Sequence, residues 1–439
     1  MLVMTVLDVS VVNVALPVLS QEFNVDESAT VWVVTIYQLF IVMLLLPLSS
    51  IGDQYGYRKN FLTGVIIFTC GSALCSVSNS LNMLLISRVI QAIGAAGIMS
   101  VNVALTRTIY PRQILGRGLA LNAMFISAAT ASGPGLAGWI MSISSWNWLF
   151  LINVPLGVIA YFIGRKVLPE NPSLPENPHL DKKSSVFNVF VFGLLFFSLG
   201  SIARKGDIFI SVCMLTAAII TGIFYVKRQI NVRNPILPVD LFKNHLYSMS
   251  VGTNVCSFIA QNIAMVSLPF LFLTGLGFTE LTTGLLMTPW PVATMICSPI
   301  AARIIEKHNP AFVAASGMLI FSAGIILMLF LPKNVEISDV WWRMALCGVG
   351  FGFFQTPNNI VMVMATPVER TGAAGGMQST ARLTGQTFGS TIVTIVFSFV
   401  TAVILSVKIS LYISLGFAIV ALVFSLFRGR RILLDKAHL

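Results

Sequence analysis

Apolar runs, each about 20 residues long and so able to cross a bilayer as a helix, recur along the whole of this 439-residue chain. Hydrophobic residues make up 56% of the sequence and charged residues only 10%, whereas soluble domains carry roughly 25% charged residues. A soluble fold of this length needs far more polar surface than the chain contains. We therefore predict an all-α, polytopic membrane protein.

The predicted spans number fourteen, and two longer polar loops divide them into groups. We place the spans approximately at 1–20, 30–50, 61–79, 82–106, 117–141, 147–167, 186–204, 208–226, 247–274, 281–302, 311–331, 340–365, 373–405 and 409–427. The loops 168–185 and 227–246 set the seventh and eighth spans apart from six spans on either side. The predicted organisation is a six-helix bundle (1–167), a linker with two extra helices (168–246), a second six-helix bundle (247–427) and a basic cytoplasmic tail (428–439).

The net charge of +11 is concentrated in short loops between the apolar runs. If the N-terminus is cytoplasmic, twenty Lys and Arg lie on the cytoplasmic side and five lie opposite, namely Arg204, Lys205, Lys333, Arg343 and Lys408. This asymmetry follows the positive-inside rule, which orients membrane helices by the cations in their flanking loops. It predicts that both termini are cytoplasmic and that the cations serve topology, so no nucleic-acid partner is expected.

Residues that would support catalysis are not grouped in this sequence. The six Cys all lie in apolar runs and behave as small hydrophobes, and the four His are scattered at loop or terminal positions. No G-x-x-x-x-G-K-[ST] motif marks an ATP site. The first apolar run lacks a basic n-region, so no cleavable signal peptide is predicted. We predict that the protein is not an enzyme and uses no metal or other cofactor.

Five motifs follow one another on the first six predicted spans. They read LDVSVVNVALP from Leu7, SSIGDQYGYRKN after the second span, LLISRVIQAIGAAG in the fourth, ATASGPGLAG in the fifth and WNWLFLINVPLG in the sixth. Together they resemble the major facilitator superfamily, specifically its fourteen-helix drug:proton antiporter branch, across essentially the whole chain. The resemblance implies a transporter of the bacterial plasma membrane that acts as a monomer in the lipid bilayer, on protons and a small-molecule substrate.

The loop after the second span resembles the superfamily pattern G-x-x-x-D-R/K-x-G-R-K/R. It matches at four positions, Asp53, Gly56, Arg58 and Lys59, and departs at the leading glycine and at two basic positions. The resemblance implies a cytoplasmic latch in which these residues contact Arg112 or Arg117 and neighbouring helix ends. Surface ion pairs contribute only about 0–1 kcal/mol each, so such a latch would act by biasing two states of similar free energy.

Asp8 is the only one of the sixteen acids that falls inside a predicted span. A charge at the bilayer centre costs about 2.5–3.5 kcal/mol on insertion scales, and such residues usually face a cavity or a partner. Because burial favours the neutral form of a carboxylic acid, Asp8 is predicted to exchange a proton. The alternative is that Asp8 is a static partner or a polar anchor near the cytoplasmic end.

Arg88 and Arg382 are the other charges inside predicted spans. In the resembling family, the arginine of the fourth-span motif lies near the first helix, which implies an interaction between Arg88 and Asp8. Such a pair is either a switch for the proton or a permanent buried ion pair. Arg382 lies in MQSTARLTGQTFG, which is similar to the family's thirteenth-helix pattern R-x-x-G. Its role stays open between substrate contact, gating and packing against helix carbonyls.

The fifth-span motif contains Gly133, Pro134 and Gly138. Small residues let helices approach closely, and proline removes a backbone hydrogen bond and kinks the span. The resemblance implies a tight helix contact that favours one access state and is typical of exporters.

Polar and aromatic residues within the spans are candidates for a substrate cavity. They are Asn13, Tyr37, Gln38, Gln91, Asn122, Asn254, Gln261, Asn262, Trp290, Gln355, Asn358, Asn359, Gln378 and Arg382. The alternative for each is a hydrogen bond between helices.

The leading functional hypothesis is proton-coupled antiport that exports lipophilic drugs or other small molecules by alternating access. The alternative is a metabolite, siderophore or organic-acid transporter of the same fold, exporting or importing by symport. One acid against two arginines in the spans is not an interior built for cations, which weakens the simplest multidrug-cation hypothesis. A membrane enzyme or sensor would need a catalytic constellation or a soluble domain, and the sequence contains neither.

Overall fold

The computed structural model describes residues 1–110, 115–169, 181–203, 206–230, 237–332, 335–366 and 371–437. Within these ranges, the side chains at 107, 115–121, 123, 124, 127, 371–374 and 430–437 are not described. All regular elements in the described ranges are helices. The all-α class predicted from the apolar runs is confirmed.

The helices before residue 240 are α1 (Leu2–Phe23), α2 (Glu27–Tyr55), α3 (Tyr57–Ser76), α4 (Leu81–Ile109), α5 (Leu115–Ile143), α6 (Trp148–Leu151), α7 (Asn153–Val167), α8 (Lys182–Ala203) and α9 (Ile208–Ile230). Those after it are α10 (His245–Phe270), α11 (Glu280–Met287), α12 (Pro289–Ile304), α13 (Pro310–Leu329), α14 (Ile337–Met364), α15 (Thr371–Phe399) and α16 (Val403–Ala437). A 3₁₀ turn at Leu241–Lys243 precedes α10, and a π-helical turn at Leu271–Gly275 follows it. Since α6 leads into α7 and α11 into α12, the described residues form fourteen helical rods.

Eleven helical rods in the described residues are long and apolar enough to cross a membrane. The helices α5, α14 and α15 occupy the positions of the three other predicted spans, 117–141, 340–365 and 373–405. The protein is therefore an integral membrane protein, while a full set of fourteen spans stays a prediction.

Two compact units divide the chain. The first contains Met1–Ala129 and Ile140–Val239, and the second contains Thr130–Trp139 and Asp240–Leu439. The hairpin α8–α9, predicted as a linker between two bundles, clusters with the first unit.

A proline in α2 explains how the α8–α9 hairpin attaches to the first unit. Pro47 has no backbone N–H, so it leaves the carbonyl of Met43, four residues earlier, without its helical donor. Asn188 of α8 donates its Nδ2 to Met43 O over 2.8 Å. Gly193, also in α8, lies against the same residue, and a Cβ there would be 3.2 Å from Met43 Cε. One buried amide thus replaces the hydrogen bond that proline removed.

The base of the same hairpin is closed by a small polar group around Asp181, just before α8. Its carboxylate accepts from Ser184 N over 3.1 Å and from Arg228 Nη2 over 3.0 Å. Partial burial raises the pKa of the Asp181 carboxyl, but the hydrogen bonds from Ser184 and Arg228 outweigh burial and lower this pKa below its ordinary value. These contacts join the start of α8 to the end of α9.

Glycines let neighbouring helices touch at their backbones in both units. A Cβ on Gly94 of α4 would overlap the backbone of α3, at 2.6 Å from Phe68 Cα. In the second unit, a Cβ on Gly317 of α13 would lie 2.5 Å from Phe354 N of α14. Close packing of this kind holds membrane helices together where burial from water cannot.

The boundary between the last two helices differs from the prediction. The break lies at 400–402, whereas the predicted spans 373–405 and 409–427 leave it at 406–408. Ser406 explains the helix start, since its Oγ donates to Val400 O over 2.8 Å and its N–H to Ala402 O over 2.9 Å. Hydropathy misses this break because the residues on both sides of it are apolar.

Candidate functional site

Asp8 and Arg88 form a buried ion pair in the first unit. Arg88 Nη1 donates to Asp8 Oδ2, and neither side chain is exposed to solvent. Asp8 belongs to α1 and Arg88 to α4, so the pair joins two helices that are distant in sequence. The interaction implied by the family resemblance is present.

Two further donors converge on the Asp8 carboxylate. Gln91 Nε2 donates to Asp8 Oδ1 over 2.9 Å, and Asn153 Nδ2 donates to the same oxygen over 3.3 Å. Gln91 follows Arg88 by one turn of α4, and Asn153 begins α7. A guanidinium and two amides thus donate to one buried carboxylate.

The Arg88 guanidinium is enclosed by a carbonyl, an amide and two rings. Its Nε donates to Val33 O over 3.1 Å, and its Nη1 also donates to Gln91 Oε1 over 2.6 Å. Its Cζ lies 4.1 Å from the centroid of the Tyr37 ring and 5.5 Å from that of Phe150, within the range of cation–π attraction. Nη2 has no hydrogen-bond acceptor among the described residues, so the ion pair leaves a donor unused.

Gln91 connects this ion pair to α3. Its Nε2 donates to Ser72 Oγ over 2.8 Å as well as to Asp8, and Cys75 Sγ lies 3.8 Å from its Oε1. The helix α3 comes this close because Gly71 faces α4, where a Cβ would lie 2.5 Å from Gln91 N. We name Asp8, Ser72, Arg88, Gln91 and Asn153 the Asp8 cluster; it ties together α1, α3, α4 and α7.

The ion pair of the Asp8 cluster joins α1 to α4. Removal of the charge on Asp8 would leave the buried Arg88 without a counter-ion, which is unfavourable in a low-dielectric interior. The attraction that holds α1 to α4 would then weaken.

Other predicted cavity residues of the first unit lie outside the Asp8 cluster. Asn13 and Gln38 are buried. Asn122 Nδ2 donates to Thr106 Oγ1 over 3.5 Å, a contact between α5 and α4. Tyr37 packs under Arg88, and its Oη donates to Thr5 O over 3.3 Å, which fixes α2 against α1.

Gly56 forms the turn between α2 and α3. Its φ of 105° lies in the region that glycine alone adopts readily. Just before it, Asp53 Oδ1 accepts a hydrogen bond from Tyr57 Oη over 2.9 Å. Just after it, Arg58 Nη2 donates to Arg165 O over 2.5 Å, where a cation complements the free carbonyls at the end of α7.

The contact of Arg58 with the end of α7 is one of the helix-end contacts expected for this loop. Arg112 and the side chain of Arg117 lie outside the described residues. Lys59 is exposed. The latch with Arg112 or Arg117 stays a prediction.

All but the first residue of the fifth-span motif lies in Thr130–Trp139, the part of α5 that clusters with the second unit. A Cβ at Gly138 would lie 2.7 Å from Glu280 O and 3.1 Å from Gly284 Cα in α11. Gly133 and Pro134 are buried as well. These residues bring α5 and α11 to backbone contact, and their effect on access states stays a prediction.

Asparagines of the second unit join its helices. Asn254 Nδ2 of α10 donates to Gln378 O over 3.5 Å, and Asn262 Nδ2 donates to Gln386 O over 2.6 Å, both in α15. Asn358 Nδ2 of α14 donates to Ser250 O over 3.2 Å. All three asparagines were candidates for substrate contact, and the described contacts place their amide groups between helices.

The remaining cavity candidates of the second unit differ in exposure. Trp290 is fully buried against Phe321, with ring centroids 5.4 Å apart, and its Nε1 has no acceptor among the described residues. Gln261 and Arg382 are partly exposed, as are Gln355, Asn359 and Gln378.

Arg428, which the sequence assigned to the basic cytoplasmic tail, is fully buried. The helix α16 continues to Ala437, and Arg428 Nη1 points inward to donate to Asn358 Oδ1 over 2.5 Å and to Ser250 Oγ over 2.8 Å. No acidic side chain pairs with it in the part of the chain that the structure describes. The arginine thus links α16 to α14 and α10 through neutral partners.

Replacing Arg428 by methionine is expected to lower the free energy of unfolding by about 1–3 kcal/mol, because Asn358 Oδ1 and Ser250 Oγ lose their donor. Thermal unfolding of the purified protein in detergent measures the loss. The double variant Arg428→Met, Asn358→Leu removes donor and acceptor together and should be no less stable than Arg428→Met alone. Fully additive losses would contradict this assignment.

Comparison with known families decides the class of this chain. The profile of the Major Facilitator Superfamily matches residues 1–390 and 250–432. The chain belongs to the major facilitator superfamily.

Several curated members of the superfamily align with most of the chain. The uncharacterized transporter YebQ of Escherichia coli K12 is 44% identical over 88% of this chain and 85% of its own length. The riboflavin transporter RibZ of Clostridioides difficile is 27% identical over 86% and 82%. The multidrug resistance protein Stp of Mycobacterium tuberculosis is 27% identical over 88% and 72%. The protein is therefore a membrane transporter of this superfamily rather than an enzyme.

A solved structure shares the fold. The crystal structure of a POT family transporter in complex with 5-aminolevulinic acid superposes with a TM-score of 0.72 at 15% identity, covering 97% of this chain and 95% of the other. At 15% identity, this similarity concerns the fold alone.

Three residues were not singled out from the sequence, namely Asn153 and Ser72 of the Asp8 cluster and Ser250, which contacts Arg428. Asn153 stood within the sixth-span motif, and a polar residue inside that apolar run was the signal available. Ser72 and Ser250 carried no signal, because a serine in a helix commonly donates to a carbonyl of its own helix, and both hydroxyls also do so here.

Proposed function

We propose that this transporter is a proton-coupled antiporter that exports small molecules across a bacterial plasma membrane by alternating access, with both termini in the cytoplasm. The observation that carries the proposal is the Asp8–Arg88 ion pair, buried and shared between α1 and α4. It provides one titratable group inside a span-length helix, and intramembrane acids of this kind mark proton pathways.

The coupling follows from competition for Asp8. In the described arrangement, Arg88, Gln91 and Asn153 all donate to its carboxylate. A proton that binds Asp8 competes with these donors, so proton binding and the α1–α4 contact disfavour each other. An exchange of proton for substrate results when substrate binding favours the ion-paired form.

The direction of transport is supported by the relatives and by the fifth-span motif. Stp is named as a multidrug resistance protein, and backbone contact between α5 and α11 at Gly138 and Gly284 suits a motif typical of exporters. The proton gradient supplies the energy, since one charge moving through about 100 mV is worth about 2.3 kcal/mol. At 1.4 kcal/mol per tenfold, this corresponds to a gradient of nearly fiftyfold.

A second candidate is transport of a metabolite rather than of drugs. Two observations favour it: one aligned relative is named as a riboflavin transporter, and the second unit carries Arg382 without an acidic partner among the described residues. The two candidates share the fold and the Asp8 cluster, so only a substrate panel separates them.

Proteoliposomes with an imposed pH gradient test the proposal. A panel of lipophilic cations, neutral compounds and organic acids is offered on the outside, with the vesicle interior made acidic. We expect at least one compound to accumulate against its gradient, to leave again when nigericin abolishes the pH difference, and to drive proton release as it enters. Accumulation that is independent of the pH gradient for every transported compound would refute proton antiport.

A further inference from the structure

Arg382 is a charged residue in the middle of a long helix of the second unit. In α15 it lies about 16 Å from the first residue and about 25 Å from the last. Acidic residues in the helices of this unit, such as Glu280 and Asp339, fall at helix ends. A cation at such a depth usually faces a cavity or a partner, because hydrocarbon does not solvate it.

The protein supplies no counter-charge for Arg382 in the residues that the structure describes. Asp8 is paired with Arg88 in the first unit, and the other ion pairs join Asp181 to Arg228 and Asp339 to Arg343. Arg382 has no hydrogen bond to the described residues either, and its side chain is partly exposed. Its five N–H donors are available to a ligand.

Glutamines flank Arg382 on the same face of α15. Gln378 and Gln386 stand one turn before and one turn after it, at the i, i+4 spacing that brings helical side chains together, and both are partly exposed. A guanidinium between two amides provides hydrogen-bond donors around a single positive charge.

The backbone that carries these three residues packs against α10. Asn254 and Asn262 donate to the carbonyls of Gln378 and Gln386. Both pairs are separated by 124 residues, so α10 and α15 keep one register over two turns. Gly385 closes the contact, since a Cβ there would lie 2.7 Å from Val255 O. Binding groups fixed to packed helices are better placed for recognition than groups on loops.

We propose that Arg382, with Gln378 and Gln386, binds the carboxylate of an amphipathic monoanionic substrate. The inference rests on the proposed transport function and names its substrate class. A single guanidinium neutralises one negative charge and matches the two oxygens of a carboxylate with two parallel donors. A cation is repelled at this position, and a phosphate dianion would leave one charge unpaired.

Fluorescence titration of the purified protein in detergent tests this assignment without a proton gradient. Three probes share one fluorophore and one hydrocarbon chain: dansyl-aminoundecanoic acid, its methyl ester, and an analogue that ends in trimethylammonium. We expect the acid to bind about 10- to 100-fold more tightly than the ester, the range for a hydrogen bond to a charged group. Arg382→Gln should remove this preference and leave the affinity for the ester unchanged.

Two further variants keep the test decisive. Arg343→Gln is the matched control, because Arg343 is an arginine of the same unit that is already paired with Asp339; it should bind all three probes as the wild type does. Gln386→Leu keeps the guanidinium and should weaken binding of the acid severalfold. This variant tests the site if Arg382→Gln does not fold.

Several results would overturn the proposal. They are equal affinity for acid and ester in the wild type, tightest binding of the trimethylammonium probe, or equal loss of acid and ester binding in both α15 variants.

The vesicle assay tests the proposed function independently of this site. Selective acid binding without proton coupling refutes antiport alone, and proton coupling without a preference for the acid refutes the carboxylate site alone.

Discussion

Asp8→Asn is expected to reduce proton-driven accumulation in proteoliposomes to the level of protein-free vesicles, while the variant still binds substrate. The amide keeps the shape of the side chain but carries no exchangeable charge. It also leaves Arg88 buried without a counter-ion, and removing one partner of a buried pair costs about 3–5 kcal/mol of stability. Uptake driven by a pH gradient and thermal unfolding in detergent measure the two effects on the same preparation.

The double variant Asp8→Asn, Arg88→Gln separates the proton from the packing. It removes both charges, so most of the lost stability should return, whereas transport against the gradient should stay absent. If the double variant regains proton-driven transport, or if Asp8→Asn alone retains it, Asp8 does not carry the proton. In that case the ion pair is a fixed structural contact, the alternative that the sequence left open.

Gly94→Ala is expected to lower the free energy of unfolding by about 1–3 kcal/mol or more, the range for overpacking a well-packed core. The added methyl would overlap the backbone of α3 at Phe68. Relief of this overlap would move α3 away from Gln91, whose amide donates to Ser72 in the Asp8 cluster. Proton-driven transport should therefore fall together with stability. Thermal unfolding and vesicle uptake of the variant report both consequences.

Gly416→Ala in α16 is the control for this substitution. A Cβ there meets no atom within 4 Å, so the higher helix propensity of alanine should leave stability unchanged or raise it by up to about 1 kcal/mol. A loss as large as that of Gly94→Ala would show that alanine in any helix of this protein is harmful and would remove the packing explanation.

Span-length apolar runs were enough to predict the helices, because a bilayer requires long stretches of one composition. The same criterion could not locate the break at 400–402, where Ser406 rather than polarity begins α16. It also ended the last span at 427, one residue before Arg428, because a cation normally marks a loop. Burial of that arginine depends on Asn358 and Ser250, which are far away in sequence.

The charged residues of the candidate site were predictable, because a charged side chain is costly inside a membrane. An acid and an arginine inside apolar runs demanded partners, and the family resemblance paired Asp8 with Arg88. Asn153 escaped notice because an uncharged amide in a motif has many uses. The positions of Asn254 and Asn262 could not be anticipated either, since only the packing of α10 on α15 shows that their amides reach backbone carbonyls rather than a cavity.

The bond from Asn188 to Met43 O has a bearing on how chains of this kind gain or lose helices. A shortened protein without α8 and α9 would expose a carbonyl that Pro47 has already deprived of its own donor. In hydrocarbon an unsatisfied carbonyl is expensive, so excision of the hairpin alone is a poor evolutionary or engineering step. Replacing Pro47 by a residue with an N–H restores the donor within α2, and that exchange should precede any twelve-helix version of this transporter.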